Sequence, residues 1–330
     1  MIAVILAGTA VAVALAAPGG HGTRQLVHHA PAGPLSGLRL YVDRRSPAAV
    51  QVASWRAVGD TADAAVLQRI AGQPTARWFV GGDPNPRAAA AALVDAAGAA
   101  RSVAELVLYD IPGRDCHGYS SGGAATGAAY IAWVTQIAQG IGGRGAIVVL
   151  EPDAVNQAAD GCLPHSDGVV RYRLLSQAIR ILKSNPLIRV YLDAGNPGWL
   201  PVRRIVGPLR RAGIEQADGF SLNVANFHTT RESIAYGRRI SRAVGGGHFI
   251  VDVGRNGNGP PPGAFGTASW CNPPGRALGT APTTNTGDPL VDALLWIKSP
   301  GESDGACHPG DPPAGEWWPA HALALARAAR

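Results

Sequence analysis

Two carboxylates follow an apolar run near the middle of the chain and are the first candidates for chemistry. The run 145–150 leads directly into Glu151, Pro152 and Asp153. A continuous apolar run of this length predicts a strand buried on both faces, as in a parallel sheet. Pro152 has no N–H and ends the ladder, so Asp153 is predicted just past the strand. In a parallel barrel the catalytic side chains stand at that end of the strands, although Asp153 alone would also serve as a helix cap.

Further aspartates follow the neighbouring predicted strands. Asp110 and Asp115 come after the third strand, Asp193 after the fifth, and Asp304 after the last. If the strands are parallel and adjacent, these side chains meet at one rim. Crowded carboxylates cannot all ionise near neutral pH, so at least one is expected to have a raised pKa, as a general acid needs. The alternatives are that each aspartate forms a turn or a cap, or that the cluster binds a metal ion, which the scattered histidines disfavour.

Aromatic residues stand at the same strand ends. They are Trp78, Tyr109, Trp199 and Trp270. The C–H faces of a sugar stack on such rings while paired carboxylates cleave the acetal bond, so the combination favours a carbohydrate substrate. A single tryptophan is more often part of a core, and the prediction therefore depends on several of them sharing one rim.

Predicted strands and helices alternate along the chain at intervals of about 30–40 residues. The predicted strands are 38–42, 77–80, 106–109, 145–150, 188–192, 220–224, 249–253 and 290–298. The predicted helices between and after them are 62–71, 87–100, 124–139, 169–183, 205–212, 231–244 and 317–330. This pattern predicts an α/β fold, a distorted (β/α) TIM-like barrel of about seven to eight parallel strands, rather than two smaller domains. Segment 254–289 exceeds ordinary loop length and is expected to be functional.

The composition and the N-terminal residues indicate where the protein acts and which partners it has. Residues 1–17 are almost all small or apolar and predict a signal peptide or a membrane anchor, residues 18–37 a linker, and residues 38–330 the catalytic barrel. The net charge of +6 comes without a basic run interleaved with aromatics, so nucleic acid is not an expected partner. The even cysteine count suggests disulfides with three possible pairings, and a zinc site would need closer Cys or His spacing. We expect a secreted or cell-envelope protein that is monomeric.

These motifs together resemble glycoside hydrolase family 6, the inverting cellulases. The matching stretches run in order from Leu38 to the C-terminus: 109–116, 120–124, 150–153, 191–195 with 198–199, 223–226, 255–260, 270–272, 284–288 and 296–305. The resemblance implies a distorted β/α barrel, hydrolysis of a β-1,4-glucan with inversion, and neither a metal nor an organic cofactor. It also supports the disulfides Cys116–Cys162 and Cys271–Cys307.

The resemblance assigns roles to four aspartates. Asp153 matches the general acid that protonates the leaving oxygen, and Asp115 the residue that helps to keep that acid protonated. Asp304 matches the proposed base, and Asp193 an aspartate that supports the substrate and the charge balance. An inverting reaction needs a water between the sugar and the base, with the carboxylates about 6.5–9.5 Å apart or linked by water. Acids on different strands across a barrel mouth can meet that requirement.

The resemblance also implies a set of substrate-binding residues. Tyr109 matches the tyrosine under the distorted sugar, and Ser121 a serine on a mobile loop that positions the water. The remaining positions are Trp78, Trp199 and Trp270 as sugar platforms, Lys298 and Glu302 as contacts to sugar hydroxyls, and Asn223 as a further substrate contact. Asn196, followed by Pro197, departs from the family, which usually has histidine there.

Within the family, the length of the loops over the cleft indicates whether internal bonds or chain ends are cleaved. Processive members cover the cleft with long loops, whereas 36 positions separate Cys271 from Cys307 here. We therefore expect an open cleft and cleavage of internal bonds, with weak binding to crystalline cellulose because no additional binding module is visible. An exo-acting cellobiohydrolase, a catalytically poor glucan-binding protein and an enzyme for an envelope glucan remain as alternatives.

Overall fold

The computed structural model of the protein describes residues 33–263 and 266–329. The predicted signal peptide or anchor (1–17) and residues 18–32 of the predicted linker lie outside this range. In the described part of the chain, no helix combines the length and the apolar character needed to cross a bilayer.

Seven parallel strands form one curled sheet in which sequence neighbours are always spatial neighbours. The strands are β1 (Arg77–Phe79), β2 (Ala104–Leu108), β3 (Ala146–Leu150), β4 (Ile188–Asp193), β5 (Gly219–Leu222), β6 (His248–Asp252) and β7 (Val291–Leu295). The edge strands approach each other, because the Ala76 N–H donates to the Trp296 carbonyl and the Trp78 indole to the Ile297 carbonyl. The predicted distorted (β/α) barrel is therefore confirmed, with seven strands.

Two helices precede β1, the others lie between or after the strands, and most of them cover the outside of the sheet. They are α1 (Pro47–Ala57), α2 (Thr61–Ala71), α3 (Pro86–Ala99), α4 (Gly127–Ile141), α5 (Ala154–Asp160), α6 (His165–Leu182), α7 (Val202–Arg211), α8 (Thr230–Val244), α9 (Thr267–Trp270) and α10 (Pro319–Ala328), with short 3-10 turns at Asp115–His117 and Ile214–Gln216. Local signals set their starts: the Asn85 side chain caps α3 ahead of Pro86, and Thr229 with Glu232 forms a capping box on α8. Of these, α1, α5 and α9 were not predicted from the sequence.

The β3 strand shows why the sheet positions the site firmly. All five of its side chains are buried, and Val148 pairs with Leu106 on one side and Val190 on the other. Alternate residues pack into an outer core beneath the helices and an inner core that fills the barrel. Because β3 is held on both edges and both faces, its carboxyl end can place a side chain with little freedom.

The N-terminal segment closes the bottom of the barrel, and here one prediction was wrong. Residues 38–42 do not form a strand: Leu40 makes a single bridge with Val103. Leu35 and Leu40 instead pack into the inner core, so the chain crosses the barrel end instead of extending the sheet. Because Leu35 is fully buried, packed structure begins before the predicted boundary at residue 38.

Glu105 on β2 is an unpaired carboxyl inside the barrel. It lies two residues before the inward-facing Val107 and so on the same face of β2. It is 4% exposed, and neither of its oxygens has a hydrogen-bond partner among the described residues. Burial, reinforced by the charge of Asp252, raises the pKa of Glu105 from 4.5 to about 8. The folded protein therefore keeps Glu105 protonated at pH values where the unfolded chain ionises it, which costs stability.

The Glu105→Gln variant is accordingly expected to alter how stability depends on pH. The free energy of unfolding of the wild type should fall by roughly 3–5 kcal/mol through this group as pH rises from about 4.5 to about 8. The variant should match the wild type near pH 4.5 and exceed it at pH 8. Urea unfolding across this range measures the difference, with the exposed Glu215→Gln as the control. Parallel pH curves for wild type and Glu105→Gln would contradict the assignment.

Candidate active site

A cleft of about 1510 Å³ lies over the carboxyl ends of the strands. Ten of the twelve catalytic and substrate-binding residues predicted from the sequence line it: Trp78, Tyr109, Asp115, Ser121, Asp153, Trp199, Trp270, Lys298, Glu302 and Asp304. They come from the ends of β1–β4 and β7 and from the long segment between β6 and β7. The two exceptions, Asp193 and Asn223, are buried beside the cleft.

Asp153 sits one turn beyond β3 in an unusual backbone conformation. Its φ is 71°, and its N–H donates to Asp193 Oδ2 at 3.0 Å. No described group donates a hydrogen bond to its carboxyl oxygens. Burial, then the charge of Asp193 and then that of Asp115, raises the pKa of the Asp153 carboxyl well above its ordinary value. A carboxyl that faces a cleft and keeps its proton to a higher pH than an ordinary aspartate is what general acid catalysis needs.

Asp193 lies beneath Asp153 instead of in the cleft. Its Oδ2 accepts the N–H groups of Asp153 and Gly195, each at 3.0 Å, and its Oδ1 accepts the Ser221 hydroxyl at 3.1 Å. It is 1% exposed, and burial raises its pKa to about 6. Above that pH it carries a negative charge next to the acid. Asp193 therefore positions Asp153 and raises its pKa without itself lining the cleft.

Asp193→Asn should consequently move the alkaline side of the pH–rate profile. An amide can keep all three contacts, with its oxygen accepting the two N–H groups and its nitrogen donating to Ser221. The negative charge is lost, so the pKa of Asp153 should fall, and the alkaline limb of kcat/KM should shift down by about one pH unit. The exposed Asp167→Asn serves as the control. An alkaline limb at the wild-type position would show that the Asp193 charge does not act on the acid.

Asp115 belongs to a hydrogen-bonded chain along one wall of the cleft. Its Oδ2 accepts both the N–H and the hydroxyl of Ser120, at 2.8 and 2.9 Å. Because the Ser120 hydroxyl is donated to Asp115, the Tyr109 hydroxyl donates to Ser120 Oγ at 3.0 Å. Gln157 approaches Asp115 Oδ1 at 3.4 Å. Sequence reasoning singled out Ser121, which does line the cleft, but Ser120 is the serine that connects Tyr109 with Asp115.

Asp304 forms a buried ion pair with Arg255. The guanidinium Nη1 lies 2.8 Å from Asp304 Oδ2, with side-chain exposures of 1% and 4%. The Asn272 N–H donates to the same oxygen at 3.1 Å. Oδ1 has no donor among the described residues, so one oxygen remains able to accept a proton. Arg255 was part of a recognised motif but was not predicted as a site residue, since nothing local shows that it reaches a residue 49 positions away.

The aromatic walls carry polar groups within reach of a sugar. Trp78 packs edge-on against Tyr109, with ring centroids 5.4 Å apart. The Lys298 Nζ lies 5.5 Å from the Trp78 ring and 3.5 Å from Glu302 Oε2. Rings beside donors and acceptors can stack a sugar and contact its hydroxyls at the same time.

The opposite side of the cleft contains an imidazole that the sequence did not predict. The His228 ring lies against Gly198, where an added Cβ would come within 2.6 Å of its Nε2. It therefore lies next to Trp199, and burial lowers the pKa of His228 and favours the neutral ring. Asn196, which departs from the family pattern, turns its Oδ1 to the Gly198 N–H at 3.0 Å. An imidazole thus lines this wall although position 196 does not supply it.

Asn223, predicted from the resemblance as a substrate contact, has backbone groups as its partners in the structure. Asn223 is fully buried and does not line the cleft. Its amide nitrogen donates to the carbonyls of His228 and Asp252, and its oxygen accepts the His228 N–H. With its polar atoms satisfied by backbone, Asn223 instead fixes the turn that carries His228.

Backbone strain is concentrated at this edge of the barrel. Nine described non-glycine residues have positive φ, and all but Arg101 lie in loops at the carboxyl ends of the strands or in the Asn272 loop. Such conformations cost about 1–3 kcal/mol each and persist where the surrounding contacts impose them.

Two disulfides brace these loops, Cys116–Cys162 and Cys271–Cys307, which confirms the predicted pairing. Within the described residues, no group of three or more His, Cys, Asp or Glu is arranged to hold a metal ion.

Known proteins share much of the sequence that builds this site. The sequence matches the model for "Glycosyl hydrolases family 6" over residues 35–329. It is 44% identical over 300 residues to Endoglucanase A of Cellulomonas fimi, covering 90% of this chain and 62% of that protein. It is 41% identical over 270 residues to Endoglucanase A of Thermobispora bispora, covering 81% and 58%. The chain therefore spans about three fifths of the length of these two relatives.

A solved structure shares the fold along almost its whole length. The endoglucanase Cel6 from Mycobacterium tuberculosis, in complex with methyl-cellobiosyl-4-deoxy-4-thio-β-D-cellobioside, superposes with a TM-score of 0.84 at 41% identity. The match covers 90% of this chain and 99% of that one. Sequence and architecture agree over the segments that build the cleft, and the chain belongs to glycosyl hydrolase family 6.

Proposed function

We propose that the chain hydrolyses internal β-1,4-glucosidic bonds of cellulose or a related β-glucan, with inversion at the anomeric carbon. The observation that carries this proposal is Asp153, a carboxyl with a raised pKa at the floor of a cleft walled by aromatic rings. The endoglucanase names of the relatives and the cellobioside bound to the Mycobacterium tuberculosis protein support a glucan as the substrate.

Asp153 acts as the general acid in this proposal. As the bond between the anomeric carbon and the bridging oxygen breaks, the Asp153 proton moves to that oxygen, and the leaving chain departs with a free hydroxyl. Asp193 and Asp115 keep the proton on Asp153 until it is needed, because ionisation would place further negative charge beside them. Proton transfer of this kind contributes about 10²–10⁴-fold in rate.

Water is the nucleophile, and Asp304 accepts its proton. The ion pair with Arg255 holds Asp304 in place, and Oδ1 is the oxygen left free for the proton. Water attacks the anomeric carbon from the face opposite the leaving group, which inverts its configuration. The chain from Tyr109 through Ser120 to Asp115 orders the wall beside the reacting sugar. Each turnover consumes one water and needs no cofactor.

Cleavage of internal bonds is supported by the short connection between Cys271 and Cys307. It spans 36 positions, and both Trp270, directly before it, and Lys298 and Glu302, near its end, line the cleft. An open cleft lets a chain bind along its middle, whereas a covered one admits chain ends. The two disulfides favour an oxidising compartment, so we propose that the protein acts outside the cytoplasm.

Hydrolysis of hydroxyethylcellulose, followed by viscosity and reducing ends together, tests the proposal. Internal cleavage predicts a fast fall in viscosity with few new reducing ends. Reducing ends that rise without that fall would overturn internal cleavage in favour of end-directed action. NMR of the first product from cellotetraose should show the α-anomer, and a β-anomer would refute inversion. Binding of cello-oligosaccharides with no hydrolysis of either substrate would replace the enzyme by a glucan-binding protein.

A further inference from the structure

The net positive charge of the protein is concentrated on two neighbouring helices. Helix α7 carries four arginines and no acidic residue, and α8 carries four arginines and one acidic residue, Glu232. Their combined formal charge of +7 exceeds the +6 of the whole chain. By contrast, α1–α4 together carry a formal charge of +1. The molecule therefore has one strongly positive flank.

The arginines of α7 and α8 are all exposed, and we call this set the arginine face. Its members are Arg203, Arg204, Arg210, Arg211, Arg231, Arg238, Arg239 and Arg242. All eight are exposed, because Ile205, Leu209, Tyr236 and Ile240 take the inward positions of the two packed helices. Within each helix the arginines recur after seven residues, which is two turns or about 10.5 Å.

Three of the eight guanidinium groups have no partner among the described residues and are free to bind an anion. Of the other five, Arg210 donates to the Ala243 carbonyl, and Arg211 and Arg239 lie over the rings of Tyr172 and Tyr236. Among the described residues only two ion pairs involve the arginine face: Arg204 with Asp160 at 3.6 Å, and Arg238 with Asp288 at 2.6 Å. Arg203, Arg231 and Arg242 have no hydrogen-bond or ion-pair partner in the described part of the chain. Like charges gathered this closely repel one another, so the cluster lowers stability unless an anion neutralises it.

The residues on α7 and α8 indicate which class of anion the arginine face binds. No large exposed hydrophobic side chain lies on α7 or α8, so the face lacks the apolar groups that insert into a bilayer. Tyr236 is buried, so among the described residues these helices offer no exposed aromatic ring for stacking a nucleic-acid base. Planar guanidinium forks match planar carboxylates. A neutral glucan in the cleft has no charged group with which these arginines could pair.

We propose that the arginine face binds an acidic polysaccharide whose sugars carry carboxylates, and so holds the protein on a mixed polymer while the cleft acts on a neutral glucan. The contact is electrostatic and separate from the cleft. The binding itself therefore does not depend on the proposed reaction, whereas its benefit to glucan hydrolysis rests on the proposed function.

Binding to polygalacturonate as a function of salt tests the proposal. The wild type should bind in 20 mM NaCl and lose most of its affinity by 200 mM. The triple variant Arg203→Gln, Arg231→Gln and Arg242→Gln should bind at least about tenfold more weakly in 20 mM NaCl. The matched variant Arg44→Gln, Arg87→Gln and Arg101→Gln removes the same charge from exposed positions elsewhere and should change affinity less than about twofold. Both variants should hydrolyse hydroxyethylcellulose at the wild-type rate, which confirms that they are folded.

Three results would overturn the proposal. The first is no binding of polygalacturonate by the wild type in 20 mM NaCl. The second is an equal loss of affinity in the two triple variants, which would mean that total charge and not the arginine face is responsible. The third is binding to phosphatidylglycerol vesicles or duplex DNA as tight as to polygalacturonate at equal charge concentration, which would remove the preference for carboxylates.

Discussion

Replacing Asp153 with asparagine is expected to lower kcat on cellulosic substrates about 10³-fold or more while leaving affinity for cello-oligosaccharides nearly unchanged. The amide has the same shape but has no proton to give to the leaving oxygen. Since no described group donates to the Asp153 carboxyl, the substitution breaks no internal hydrogen bond. Steady-state kinetics and calorimetric binding of cellotetraose measure the two quantities.

A substrate whose leaving group needs no protonation distinguishes loss of the general acid from a disturbed cleft. The leaving group of 2,4-dinitrophenyl β-cellobioside departs without protonation, so Asp153→Asn should hydrolyse it at a rate close to that of the wild type. A loss as large on this substrate as on cellotetraose would mean that the substitution disturbs the cleft, and Asp153 would not be the general acid. The exposed Asp167→Asn variant should leave both rates unchanged.

Arg255→Met is expected to give the largest loss of stability, about 3–5 kcal/mol, together with loss of activity. The change removes the only cation within ion-pair distance of Asp304 among the described residues and leaves a carboxylate buried without its partner. It also removes the guanidinium from above the Phe227 ring, 4.6 Å away, and a hydrogen bond to the Ala225 carbonyl. Urea unfolding followed by tryptophan fluorescence measures the loss.

The double variant Arg255→Met with Asp304→Asn tests the cause. If the uncompensated charge dominates, removing it should restore a large part of the lost stability, although activity should stay low because the proposed base is gone. The exposed Arg203→Met should change stability by less than about 0.5 kcal/mol. Equal stability of the double and single variants would assign the loss to packing against Phe227 instead.

The order of strands and helices was predictable because it depends on local periodicity. Apolar runs such as 146–150 predict buried strands, and the turn residues between them mark where each element ends. Seven of the predicted strands are therefore confirmed. Residues 38–42 have the same alternation, but Leu35 and Leu40 gain more by filling the open end of the barrel than by extending the sheet. Alternation predicts which side chains are buried and does not identify the surface that buries them.

The sequence by itself determined that Asp115, Asp153 and Asp304 would meet, because in a parallel barrel every strand ends at the same rim. Only the tertiary structure decided what each residue does there. It placed Asp193 beneath the acid, buried Asn223 within a turn, joined Ser120 to Asp115, and paired Arg255 with Asp304. The physical reason is that loop backbones with positive φ set the direction of these side chains, and contacts between distant segments impose those conformations.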